Sequence, residues 1–152
     1  MGFHGDQDAL QYNLSVYHNW FDNFIYAKTL DQFQDFRLIQ YSQDKATFWG
    51  ADASVSYQLS PIYKATIFGD YVRAKLDDAG NVPRIPGGRA GARVNADFGN
   101  GYTGLAEYYH VFNQDDIANY ETATQGYNML NLGIAYNGKW AKQNDYKLFA
   151  KA

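Results

Sequence analysis

The residues of this chain that could do chemistry face each other across strands instead of clustering along the sequence. A hairpin about Gly99-Asn100-Gly101 that pairs Phe98 with Tyr102 sets Arg93 directly opposite Glu107. Opposite charges at such positions add roughly 0.2–1 kcal/mol, and their ordinary role is a solvated ion pair. The same construction about Ser60-Pro61-Ile62 sets Asp52 opposite Asp70. Two facing carboxylates repel, so they require water, a cation or an arginine from elsewhere. Substrate or metal binding between them is the sharper reading, and a hydrated pair the plainer one. Arg89 and Asp97 share the polar face of Arg93.

Other constellations lack the spacing their chemistry needs. His4, His18 and His110 are far apart and form no HxxxH pair, so no metal site is expected. His18 and His110 follow the apolar parity near strand ends, which suits an interface. Asp77-Asp78, Asp115-Asp116 and Glu121 fall in loops, where solvated surface is the default and cation capture the alternative. The glycines of RIPGGRAGARV lack the Lys-Ser or Lys-Thr pair and the helix of a phosphate loop. With no cysteine, disulfides and Cys-based zinc or redox sites are excluded. No Ser-His-Asp set is visible either, so no catalytic residue and no cofactor is expected, and the chain does not read as an enzyme.

The elements that must position these residues are strands. Period-two alternation dominates from end to end, and helical spacing is hard to find. Leu10, Tyr12, Leu14 and Val16 share one face against Gln11, Asn13, Ser15 and Tyr17, and the segment runs on through HNWFDNFIYA. Further strands are predicted at about 36–59, 63–75, 89–98, 102–112 and 127–136, and YKLFAKA stops in mid-pattern at Ala152. Short connections at 60–62, 99–101 and roughly 137–145 close one edge, and longer polar loops near 28–36, 76–88 and 113–126 lie at the other. The fold class is therefore all-β: an antiparallel up-and-down meander of about seven long strands, with the loop asymmetry of a transmembrane barrel.

Composition bears on what the apolar faces touch. The 152 residues suit one domain, the formal charge is -3, and the 13 Lys and Arg are scattered, which excludes a nucleic-acid surface. No apolar run has the length of a membrane-spanning helix, and MGFHGDQDAL does not read as a signal peptide. Fourteen tyrosines suit a structure that places amphipathic rings at a boundary. The apolar faces mix Ala and Gly with Leu, Val and Tyr, without the bulky set that a sandwich core interdigitates. Rings collect near strand ends, as in the girdles of outer-membrane barrels. Trp20, Phe24, Tyr57, Tyr63, Tyr71, Phe98 and Tyr108 are accordingly assigned to lipid or its interfaces. Asp52, Asp70, Arg89, Arg93, Asp97 and Glu107 are assigned to a polar lumen. The alternatives are a soluble β-sandwich that binds carbohydrate or another ligand through Tyr and Trp, and a small self-contained outer-membrane barrel with a structural or adhesive role.

Five segments carry a family resemblance: LQYNLSVYHNWFDNFIY, FWGADASVSYQLS, NVPRIPGGRAGARVNADF, IANYETATQGYNMLNLGIAY and YKLFAKA, in that order. Together they resemble the C-terminal barrel strands of a TonB-dependent outer-membrane receptor, with most similarity to the zinc-uptake receptors of that family. The resemblance covers almost the whole chain. It implies a place in a barrel of about 22 strands, a plug domain inside it and a TonB box contacted from the periplasm. It also implies energised uptake of a metal or metal chelate (zinc, haem or a siderophore) across the bacterial outer membrane. The implied partners are outer-membrane lipid, the metal or chelate ligand and, for a full-length receptor only, the TonB energy-transducing complex. Plug, TonB box, signal peptide, closing strand and histidine-rich loop have no counterpart in the sequence. Residues 1–152 are therefore expected to form one partial barrel domain that does not transport by itself.

Overall fold

A chain that alternates polar and apolar residues over most of its length can satisfy its backbone only by pairing sideways, strand to strand. The computed structural model describes residues 1–140 and 144–152 and contains, among them, one antiparallel sheet and no helix. Its strands are β1 (Gly2–Gln7), β2 (Leu10–Phe33), β3 (Phe36–Gln58), β4 (Tyr63–Leu76), β5 (Gly80–Asn81), β6 (Arg89–Gly99), β7 (Tyr102–Val111), β8 (Tyr127–Trp140) and β9 (Asn144–Lys151). The spatial order is β1-β2-β3-β4-β6-β7-β8-β9, with β5 beside the far end of β4. This is the predicted meander. The seven long strands are the expected ones, and β1 and β5 are additions. GFHGDQ carries two glycines and little apolar alternation, so β1 leaves a weak sequence signal.

The registers agree with the turn arithmetic: Arg93 pairs with Glu107 and Asp52 with Asp70. At the Asn100-Gly101 turn a bulge puts Gly99, not Phe98, opposite Tyr102, while Asp97 opposite Thr103 keeps the predicted register. Gly99, Asn100 and Gly101 all have positive φ, which is why glycine and asparagine stand there. Of the connection expected at 137–145, residues 137–140 belong to β8 and 144–145 to β9, and 141–143 lie outside the described residues.

One expected loop is not a loop. Residues 28–36 continue the β2–β3 ladder from Lys28 opposite Gln40 to Phe33 opposite Phe36, around a two-residue turn at Gln34-Asp35. The segment places Leu30, Phe33 and Phe36 three apart among polar residues, so it shows no period-two alternation, yet its backbone hydrogen bonds form all the same. Two bulges interrupt this arm, between Phe21 and Phe24 and between Thr29 and Asp31.

The first bulge corrects a side-chain assignment. From Phe21 to Phe24, β2 advances three residues while β3 moves two, from Ala46 to Asp44, so the side chains that follow change face until the second bulge, between Thr29 and Asp31, restores the parity. Phe24 was expected to point outward beside Trp20. Instead its ring lies 5.1 Å from Phe48 and 5.9 Å from Phe21, on the polar face of the sheet. There it flanks the small core, where Ala46, Ala74, Leu76 and Val82 are buried and Tyr26, Phe48, Ala79 and Ile85 pack around them.

Elsewhere the apolar face is open. Ile67, Leu130 and Leu148 are each more than 60% exposed, and no second sheet covers them among the described residues. Strands contact only their sheet neighbours, and β1 and β9 do not meet. A β-sandwich would bury one face of this sheet, so that alternative lacks its second layer.

Gly50 marks a tight inter-strand contact on the polar face. A Cβ added there would sit 2.5 Å from both the Tyr17 hydroxyl and the Tyr71 carbonyl oxygen. We predict that Gly50→Ala destabilises the folded sheet by about 1–3 kcal/mol, read as a lower urea midpoint with an unchanged slope.

Candidate functional site

The polar face gathers side chains from six strands, β2 to β4 and β6 to β8. On β3 and β4, Asp52 and Asp70 stand opposite, but each has its own partner. Asn13 of β2 donates to Asp52 Oδ1 at 3.2 Å, and Arg89 of β6 forms an ion pair with Asp70. The arginine that the facing carboxylates required thus comes from the next strand. One step along, Arg93 Nε donates to Glu107 Oε2 at 2.7 Å, and Asn131 of β8 donates to Glu107 Oε1 at 2.9 Å. Ser56 and Thr66 share a hydrogen bond of 2.8 Å, and Lys64 donates to Gln11 at 2.5 Å.

Aromatic rings set the pose of the guanidinium groups. The Arg89 carbon lies 5.9 Å from the Phe68 ring centroid and 5.8 Å from that of Tyr109, and Arg93 lies 5.5 Å from Phe68. Such contacts hold a cation without neutralising it. The face forms a concavity of about 610 Å³ whose lining carries Asp52, Asp70 and Glu107 against Lys64, Arg89 and Arg93. The charges balance. This arrangement can orient polar or charged surface laid against it. Among the described residues no three His, Cys, Asp or Glu side chains gather as a metal cage.

Asp97 sits on this face as predicted, but at its end, where Oδ1 accepts the Gly99 N–H at 3.0 Å and braces the turn. Of the residues expected on the apolar face, Trp20, Tyr57, Tyr63, Tyr71 and Tyr108 lie there by register, and Phe98, unpaired in the bulge, lies there by its packing on Tyr63. Tyr63 and Phe98 pack edge to face at 6.5 Å near the short turns. Trp49 and Tyr71 pack at 5.4 Å towards the far rim, where His18 lies against Trp20 at 4.1 Å. His110 packs on Phe112, and its Nδ1 and the Tyr108 hydroxyl both meet Asn128 Oδ1 at 2.8 Å. The two histidines with apolar parity are therefore held by rings and an amide. Tyr63 and Tyr71 stand eight positions apart, roughly 27 Å along a strand and about 20 Å after a tilt near 45°. That spacing comes within a few Å of the apolar band of a membrane barrel, about 25 Å tall.

At the far rim the loops 77–88 and 112–126 are tied together. Glu121 accepts the Arg84 N–H at 2.9 Å through one oxygen and the Ala118 N–H at 3.0 Å through the other. Gln114 donates to the Ile85 and Pro86 carbonyls, each at 3.1 Å, and Asn81 donates to the Ile117 carbonyl at 3.1 Å. Arg73 joins Asp116 at 2.5 Å. Sequence reasoning saw Asp116 and Glu121 only as loop charges, because their partners lie 43 and 37 residues away. It also missed Asn13, Phe68, Tyr109 and Asn131, although all four share the parity of the polar face.

One sheet with an apolar, ring-flanked face, a charge-balanced polar face and long connections at a single rim is a wall of a membrane β-barrel. The family described as TonB dependent receptor-like, beta-barrel matches residues 2–152, and the chain belongs to that family. Among solved structures, the copper transporter OprC is similar with a TM-score of 0.77 and 22% identity; the match covers 89% of this chain and 22% of that one. At that identity the likeness is one of fold, and this chain spans about a fifth of the length of OprC.

Two outcomes follow from the geometry. A double-mutant cycle on Arg93→Ala and Glu107→Ala is expected to show a coupling of about 1 kcal/mol that shrinks at high salt. Glu121→Ala removes the acceptor shared by two loops, so limited proteolysis is expected to accelerate at both 77–88 and 112–126.

Proposed function

We propose that this chain is part of the wall of a bacterial outer-membrane receptor that takes up a metal or metal chelate, energised through the TonB complex. One observation carries the reading: a sheet of this family whose apolar face is uncovered and whose two outer edges are unpaired. Open edges do not persist in lipid, because unpaired backbone groups there cost several kcal/mol each. Further strands must then complete the barrel, which accords with a match to 22% of the OprC chain. In this reading residues 1–152 form one barrel segment. Trp20, Tyr57, Tyr63, Tyr71, Phe98 and Tyr108 meet lipid or its interfaces, and Asp52, Asp70, Arg89, Arg93, Asp97 and Glu107 face the lumen.

The cargo is read as a metal because the similar OprC is a copper transporter and the sequence resembles zinc-uptake receptors. The absence of a ligand cage among the described residues favours, on this wall, a chelate that brings its own donor atoms.

The membrane reading has a direct test. Ile67→Lys, on the apolar face, is expected to cost about 2–4 kcal/mol of stability in a bilayer and to reduce the folded receptor recovered from outer membranes. Ser54→Lys, on the opposite face of the neighbouring strand, is expected to leave that yield nearly unchanged. Equal tolerance of both, or recovery of the protein from the soluble fraction, would overturn the reading.

A further inference from the structure

The chain has five arginines, and three of them, Arg73, Arg89 and Arg93, are neutralised in ion pairs. The other two, Arg37 and Arg84, have no carboxylate partner among the described residues. They come from separate elements, the β2–β3 arm and the loop after β5, yet they line the same cavity of about 240 Å³ at the far rim. Lys28 of the arm lines it too. A second hollow of about 250 Å³ also has Arg37, Arg84 and Glu121 in its wall.

The charge of the first cavity runs against that of the chain. Its lining holds three cations, Lys28, Arg37 and Arg84, and two anions, Asp78 and Glu121, a net of +1 where the whole chain carries -3. Glu121 already accepts a backbone N–H through each oxygen. Neither oxygen is within ion-pair distance of Arg37 or Arg84.

Backbone conformation marks the same place. Five residues other than glycine have positive φ, and Asp8, Gln34 and Asn100 occupy tight hairpin turns, where that conformation is ordinary. The remaining two, Arg84 and Tyr120, each have φ of 63° and lie at this cavity, Arg84 in its wall and Tyr120 between the lining residues Asn119 and Glu121. Residues held in left-handed conformation are strained and persist where surrounding contacts over-determine them. Here the contact is the Glu121 carboxylate, which fixes the Arg84 backbone.

We infer that Lys28, Arg37 and Arg84 form a binding site for a small anion bearing two or more carboxylates. The planar guanidinium fork matches a carboxylate with two parallel N–H···O bonds, and Lys28 adds a point charge. The cavity is smaller than the roughly 300–1,000 Å³ of drug-sized pockets, so it admits a compact anion or one arm of a larger chelate. The inference deepens the receptor reading and rests on it, since it places the site on the outward rim and gives the cargo a negative charge.

The test uses the whole receptor in detergent with citrate as the probe, followed by titration calorimetry. Arg37→Gln and Arg84→Gln are each expected to weaken citrate about tenfold, and raised salt to weaken the parent protein in the same direction. Lys147→Gln, on β9 away from the cavity, is expected to have no effect. Heat-modifiable migration on gels establishes that each variant is folded. If the folded receptor binds no citrate, or both arginine variants bind it as the parent does, the anion site is wrong while the receptor reading stands. If the protein instead proves soluble, the receptor reading fails, and loss of citrate affinity in the arginine variants still reports on the cavity itself.

Discussion

The lateral backbone ladder is the constraint on which everything else here depends. A single sheet with no second layer cannot hide its peptide groups in a core, so each strand satisfies them through its neighbours. The ladder sets register, register sets parity, and parity decides which face each side chain joins. Asp52, Asp70, Arg89, Arg93 and Glu107 share a face because four strands keep an unbroken register between them. Where that register slips at Phe21–Phe24, the consequence is immediate: rings that would have pointed outward turn in and form the small core.

Two kinds of stabilisation then divide the molecule along its strands. In the central belt, packing is thin and polar pairing organises the surface, through the ion pairs Arg89–Asp70 and Arg93–Glu107 and the amides of Asn13 and Asn131. At the far rim, Ala46, Ala74, Leu76 and Val82 are buried, and the loops above them are tied by Glu121, Gln114 and Asn81. The belt suits a face that meets water or another polar surface. The rim behaves as a compact unit able to hold cationic side chains in fixed positions. The opposite, apolar face has neither kind of cover among the described residues.

The division also shows how the facing acids are satisfied. Asp52 and Asp70 would repel if left alone, but an amide on one and a guanidinium on the other remove the need for a cation. The arginines in turn lie over Phe68 and Tyr109, so the network is cross-braced between strands without burying an unpaired charge. The carboxylates of the loops follow the same logic, with Asp116 taken by Arg73 and Glu121 by two backbone donors.

Much of this was legible from residues alone. Alternation specified the seven long strands, and the turns at 60–62 and 99–101 specified the pairings Asp52–Asp70 and Arg93–Glu107, because a short turn leaves few registers open. The resemblance carried by five segments pointed to the family that the whole-chain match establishes. Three things were decided only by the tertiary structure. The Phe21–Phe24 bulge reversed the face of Phe24, since one extra residue in one strand leaves no mark in that strand's own pattern. The arm at 28–36 formed a ladder although its apolar residues, Leu30, Phe33 and Phe36, stand three apart and give none of the alternation that sequence reading relies on. The cavity shared by Arg37 and Arg84 and the hydrogen bond from the Arg84 N–H to Glu121 bring together residues dozens of positions apart through loops, where no period links sequence to space. Strand periodicity is a local property and can be read locally; contacts between loops depend on where a whole sheet has placed their ends.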